Sequence, residues 1–169
     1  MTRQERRKGR TIVGNKKKII AVTFERSDAV AGKKKRLPTH NEMLTWIRAA
    51  AFRSLNLTVC FVTEEESHRL DKTYRKKDRP TNVLTFDYAH EPVAEADIAV
   101  CTAVLVREVA EQKKTFRSHL AHMLIHATLH AQGWDHATDA EAEEMEALEA
   151  KILKKLGFPN PYSDRAVAH

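Results

Sequence analysis

The residues most able to do chemistry lie in one stretch, His126-x-x-x-His130-x-x-Gly133-x-x-His136. An α-helix turns once every ~3.6 residues, so side chains four apart share a face about one turn apart. Two imidazoles spaced this way can hold one divalent ion, at metal–nitrogen distances of roughly 2.0–2.1 Å. The next turn of the same straight helix cannot supply a third ligand. His122 shares the face but lies ~12 Å along the axis from His130, at ~1.5 Å rise per residue. The chain has to reverse, and Gly133 is the residue for it, because glycine enters the left-handed conformation cheaply and commonly ends helices. His136 then returns to complete a three-histidine site. Three protein ligands leave one tetrahedral position for water, the mark of a catalytic rather than a structural zinc.

The spacing is that of the metzincin proteases, in which Glu directly follows the first histidine and acts as general base. Here that position is Ala127, which can neither accept nor donate a proton. Two readings therefore stand on these residues alone: a metal-dependent hydrolase, of a peptide or a small ester, and a non-enzymatic module whose zinc only holds the fold. The missing glutamate argues against a peptidase. An incomplete ligand set argues against a closed structural site.

The elements that must position these residues follow from pattern. Residues 1–18 are basic, polar and aperiodic, and read as a disordered tail. Strands are expected at 19–24, 57–62, 81–88 and 96–101, where branched and aromatic residues cluster. Helices are expected at 38–54, with Leu44, Ile47, Ala51 and Leu55 as an apolar stripe, and at 63–76, opened by the capping pattern Thr63-x-x-Glu66. Further helices are expected at 104–113, at 115–132 for the metal helix, and from Asp139 to just before Gly157. The segment 89–95 reads as a loop. This pattern gives a single α+β domain at 19–163, a mixed sheet covered by helices, with a metal-binding helix followed by a glycine turn and a short tail at 164–169.

The 169 residues suit one domain. No apolar run approaches the ~18–20 residues of a membrane helix, and the charged start lacks the apolar stretch of a secretory signal. Cys60 and Cys101 sit in strand-like runs without a CxxC pair and read as inert core thiols in a reducing compartment. The formal net charge is +6. It is segregated into basic clusters at 3–18, 33–36 and 75–79, with acids gathered from Asp135 to Glu149. Segregated basic charge points to a polyanion, nucleic acid first, or for the tail alone to solubility. The acids at the start of the last helix and the lysines at its end suit the helix dipole.

A second motif joins the first. Leu70-Asp-Lys-Thr-Tyr74-Arg75-Lys-Lys-Asp78-Arg-Pro80-Thr81-Asn82-Val83-Leu84-Thr85-Phe86 and His126-Ala-Thr-Leu-His130-Ala-Gln-Gly133-Trp134-Asp135-His136 together resemble the YbeY family of bacterial metal-dependent endoribonucleases. Ala96-Asp97-Ile98 and Leu156-Gly-Phe-Pro-Asn-Pro-Tyr162 are also similar to family segments. The resemblance spans about residues 18–163. Departures are Ala127 for Gly, Trp134 for Tyr, Ala96 for Gly, and Asn82 for Asp; the last removes a possible charge beside the site.

The resemblance implies one zinc ion held by His126, His130 and His136, and a functional Arg75. It also implies cleavage of single-stranded RNA in ribosomal RNA maturation, notably at the small-subunit 3′ end, and in ribosome quality control in the cytoplasm. An arginine suits phosphodiester chemistry because its planar fork pairs two phosphate oxygens and never deprotonates; the alternative for Arg75 is a surface ion pair. Lys76, Lys77 and Arg79 are candidate RNA-backbone contacts. Asp135 is read either as a carboxylate orienting a ligand imidazole or as a turn residue beside Gly133. His119 and His122 share the metal helix, and His122 is placed in the cleft without binding metal. The general base stays unassigned. Both direct water attack and attack by the ribose 2′-hydroxyl remain open.

Overall fold

The computed structural model describes residues 17–27, 37–75 and 82–163, with backbone only at 74 and 75. Four strands, β1 (Ile20–Arg26), β2 (Ser54–Val62), β3 (Val83–Ala89) and β4 (Val93–Cys101), form one sheet in the order β1-β2-β4-β3. β1 and β4 run parallel to β2, and β3 pairs antiparallel with β4, so the sheet is mixed as expected. The helices are α1 (His40–Ala49), α2 (Glu64–Leu70), α3 (Thr102–Gln112), α4 (Phe116–Ala131) and α5 (Asp139–Lys155).

Side chains alternate across a strand, and the two central strands divide their residues by parity. Leu55, Leu57, Val59 and Phe61 of β2 join Ala94, Ala96, Ile98 and Val100 of β4 in the main core, with Met43, Trp46 and Ile47 of α1. Cys60, Val62, Ala99 and Cys101 face the other way, into a smaller cluster with Leu84 and Val104. Both cysteines are free, and burial pushes each thiol up from its ordinary value, which is not the signature of an activated nucleophile.

Helix α4 lies in the main core. From His119 to Ala131, every residue except His126 and His130 is buried. A helix apolar on nearly all sides belongs at the centre of a domain, and this one leaves open only the i, i+4 pair. No helix of the described residues is long and apolar enough to cross a membrane.

Three departures from the sequence expectation bear on how the site is positioned. The helix expected over 38–54 ends at Ala49, and β2 begins at Ser54 rather than 57. Leu55, read as the last residue of a helical stripe, is instead the first buried residue of a strand, paired with Ile20. The reason is tertiary. The side chain of Gln132 donates to the Ala50 carbonyl at 2.7 Å and accepts the Phe52 N–H at 2.8 Å, satisfying backbone groups freed where α1 stops. Second, the helix expected over 63–76 keeps its Thr63–Glu66 capping box, but its regular turns end at Leu70 and widen into a π-helical segment over Asp71–Arg75. Third, β4 starts at Val93, inside the segment read as a loop. The two expected tails, 1–18 up to residue 16 and 164–169, lie outside the described residues.

Candidate metal centre

The site begins with the way α4 ends. Gly133 has φ +103°, which an L-residue adopts only with strain. Its N–H donates to the His130 carbonyl at 3.0 Å, and the Trp134 N–H reaches back to the Leu129 carbonyl at 3.1 Å. These are the paired 5→2 and 6→1 bonds of a Schellman motif. Trp134 is then buried, 5.1 Å from the Phe52 ring centroid to centroid. Together with Gln132, this ties the reversal to the α1–β2 connection.

The same reversal sets the chemistry of His130. Its Nδ1 lies 2.9 Å from the Trp134 carbonyl oxygen. A carbonyl only accepts, so Nδ1 carries the proton and donates, and Nε2 presents a lone pair. Burial pushes the His130 pKa down, and the Trp134 bond only partly opposes it, so the neutral form that binds metals is favoured. His126 is arranged alike, with Nδ1 3.2 Å from Oε2 of Glu149, again leaving Nε2 as the acceptor. His136 is exposed beyond the turn, its ring centroid 5.5 Å from that of His126 and 6.2 Å from that of His130. Imidazoles sharing a tetrahedral zinc at ~2.0–2.1 Å from nitrogen have centroids roughly 5 Å apart. The rings are thus gathered but not closed: among the described residues no group of three or more His, Cys, Asp or Glu already forms a coordination cage. Closing needs side-chain rotation, and exposed His136 has the most room for it. The donor set, three imidazoles of which two have their protons fixed on the far nitrogen, fits a borderline ion such as zinc.

Asp135 sits in the turn between Gly133 and His136. Its Oδ1 accepts the His136 N–H at 2.7 Å, and it touches the third histidine through backbone rather than through a ring. His90, which carried no sequence signal, packs against Gly133, where a Cβ would lie 3.4 Å from its Nδ1, and its Nε2 pairs with the Asp87 carboxylate.

The residues that sequence reasoning missed are carboxylates. Glu149 of α5 is 1 % exposed and accepts three contacts: His122 Nε2 at 2.8 Å, His126 Nδ1 at 3.2 Å and the Tyr162 hydroxyl at 3.0 Å. Burial alone would raise its pKa. The bonds from His122 and His126 outweigh that and hold it down at about 2. His122 lines the cavity beside His126 and is an internal partner of Glu149. One signal was available, since Glu149 falls on the buried stripe of Met145, Ile152 and Leu153. Glu108 of α3 accepts from Asn82 Nδ2 at 3.0 Å and lies 3.0 Å from His119 Nε2. The carboxylate that Asn82 lacks is thus brought close by another element. Asn82, Glu108, His119, His122, His126 and Tyr162 line a cavity of about 520 Å³. A larger groove, about 940 Å³, lies on the opposite face of the sheet around Cys60, Tyr88 and Asp97, and includes none of the three histidines. Of the proposed nucleic-acid contacts, Lys76, Lys77 and Arg79 and the side chain of Arg75 lie outside the described residues.

The chain as a whole is similar to known proteins. Residues 24–157 match the family described as Endoribonuclease YbeY. The chain is 49 % identical over 146 residues to the protein named Endoribonuclease YbeY of Paracidovorax citrulli, covering 86 % of this chain and 95 % of that one. The Ralstonia nicotianae protein of the same name is 46 % identical over 158 residues, covering 91 % and 84 %. In three dimensions, a Thermotoga maritima protein solved in solution superposes with a TM-score of 0.51 at 22 % identity, over 80 % of this chain and 91 % of that one, a likeness of fold. A family match over residues 24–157, with relatives at nearly half identity over most of the chain, places this protein in the YbeY endoribonuclease family.

Proposed function

We propose that the protein is a zinc-dependent endoribonuclease that cleaves single-stranded RNA, in the cytoplasm, during maturation of the 16S ribosomal RNA 3′ end and in ribosome quality control. The catalytic domain is 19–163, and the basic tail at 1–18 is a candidate accessory contact for the polyanion. The observation that carries the reading is the pair His126 and His130, alone unburied on the inner length of α4, with both Nδ1 atoms engaged and His136 folded back beside them.

His126, His130 and His136 would hold one zinc ion through ring nitrogens. When bound, zinc supplies Lewis acidity toward a phosphate oxygen and toward water at neutral pH. The chain supplies the rest. Glu149 and the Trp134 carbonyl keep the Nδ1 protons in place. Arg75 is assigned to the phosphate as a bidentate cation, and Lys76, Lys77 and Arg79 to the flanking backbone of the strand. The buried wall of α4 keeps one side of the site dry, which strengthens these charge interactions. Ala127, buried behind His126, leaves no protease-type base at that position.

The test is cleavage of a labelled single-stranded RNA by zinc-loaded protein, chelator-stripped protein and the His130→Ala variant. Cleavage by the first only, with all three retaining their circular dichroism, is expected. RNA turnover undiminished by stripping refutes the metal role, and turnover of a peptide substrate alone refutes the nuclease. A 2′,3′-cyclic phosphate on the product identifies the 2′-hydroxyl as the attacking group. In cells lacking the protein, 16S precursors extended at the 3′ end should accumulate.

A further inference from the structure

Resting on the reading of His126 as a metal ligand, we infer that Glu149 is a positioning residue for the centre, held in place by Tyr162 of the segment after α5. Glu149 projects from a different helix and touches the ligand set only through His126. Its Oε2 receives His126 Nδ1 and His122 Nε2, and its Oε1 receives the Tyr162 hydroxyl. With those three donors the carboxylate is nearly saturated and has no rotational freedom left at its 1 % exposure.

The fixed carboxylate selects one state of His126. A carboxylate only accepts, so His126 must carry its proton on Nδ1, and the lone pair is left on Nε2, on the partly exposed edge of the ring. The negative oxygen behind the ring also raises the electron density that Nε2 can give to a cation. His122 has no comparable route to the ion. Its Nε2 is taken by Glu149 and lies 3.0 Å from the Tyr162 oxygen, and its Nδ1 is buried. It serves as a brace on the carboxylate, one turn before the ligand it helps to orient.

Tyr162 joins this network from outside the helices. After α5 the chain turns at Gly157, with φ +87°, and returns so that the Tyr162 ring sits edge-on to His122, centroids 5.4 Å apart. The segment Phe158–Tyr162 therefore closes over the same carboxylate that sets the metal ligand.

Three variants test the assignment: Glu149→Gln, which keeps shape but removes charge, Glu149→Ala, and Tyr162→Phe. Zinc affinity is measured by competition with a chromophoric chelator, and the Nδ1/Nε2 protonation of His126 by ¹⁵N chemical shift in the metal-free protein. Thermal melting of the metal-free proteins runs in parallel. Positioning predicts a loss of zinc affinity of roughly ten- to a hundredfold for Glu149→Ala. Smaller losses are expected for Glu149→Gln and Tyr162→Phe. Metal-free Glu149→Gln melts below the parent, because the paired carboxylate is gone, but keeps the parent's circular dichroism, while His126 in Glu149→Ala loses its fixed Nδ1 proton. Unchanged zinc affinity in Glu149→Ala, with the parent binding one ion, overturns the inference and leaves the proposed function intact. A parent that binds no zinc overturns both.

Discussion

Replacing Gly133 by alanine tests whether the reversal after α4 is a functional part or only a convenient helix end. The perturbation has two components that the structure separates. The first is backbone strain. At φ +103° a residue with a Cβ sits outside the region L-amino acids favour, at a cost of roughly 1–2 kcal/mol. The second is contact. The new Cβ would lie 3.4 Å from His90 Nδ1, an ordinary to slightly tight approach to a partly exposed side chain that can yield. Strain therefore dominates, and about 1–2 kcal/mol in a domain of this size lowers Tm by roughly 2–8 °C. Gly157 is an internal control, because it has φ +87° with nothing within 4 Å of its added Cβ, and it ends α5 with the same paired bonds. Gly157→Ala should show the strain cost alone. Gly133→Ala should show a similar cost together with weakened zinc binding, since any relaxation of the turn shifts the Trp134 carbonyl that fixes His130 and the path of His136. The assays are thermal melting of the metal-free proteins and chelator competition for zinc. Equal zinc affinity in the two variants, with both destabilised, refutes the link between the turn and the site. A Gly133→Ala protein as stable as its parent refutes the strain argument itself.

Gln132→Ala should destabilise by about 2–6 kcal/mol, measured by urea unfolding, because the Ala50 carbonyl and the Phe52 N–H each lose a buried partner worth about 1–3 kcal/mol; a loss below 1 kcal/mol would mean that water replaces the side chain. Stability should fall in acid: Glu149 is held at about 2 in the fold against 4.5 as its ordinary value, so its contribution is complete above pH 4.5 and is lost as pH drops from there toward 2. That interval corresponds to about 3 kcal/mol, and unfolding followed against pH should show a shallower acid limb in Glu149→Gln. His119, pushed down by burial, acts in the same direction from its ordinary 6.5 downward, since its neutral form is the one the fold prefers. Finally, if Lys76, Lys77 and Arg79 each contact one phosphate, replacing all three by alanine should reduce the slope of log K against log salt for single-stranded RNA by about 2; an unchanged slope removes them from the interface.

How much of this was legible in the chain depends on whether a residue's partner is near in sequence. The histidine–glycine–histidine spacing is local geometry, and α4 with its Schellman ending follows from it directly. So do the capping box at Thr63 and the mixed-sheet α+β class, because hydrophobic period and cap chemistry are properties of short windows. The end of α1 was not legible, because it is decided by Gln132, 82 residues from Ala50, and no propensity near Ala49 carries that information. Glu149 was hidden in another way. Read along its own helix it is one acid among many in a run that suits the dipole, and only its place on the stripe with Met145 and Ile152 sets it apart. A carboxylate on an apolar stripe has to be paired or it unfolds the helix that carries it. The chain offers few partners of opposite character that are themselves buried, and His122 is one, a histidine on the apolar side of α4 that the metal spacing leaves unused. Two buried polar residues on separate apolar faces, neither explained by its own element, are thus each other's explanation, and the Glu149 oxygen that pairs with His122 is the one that also receives His126.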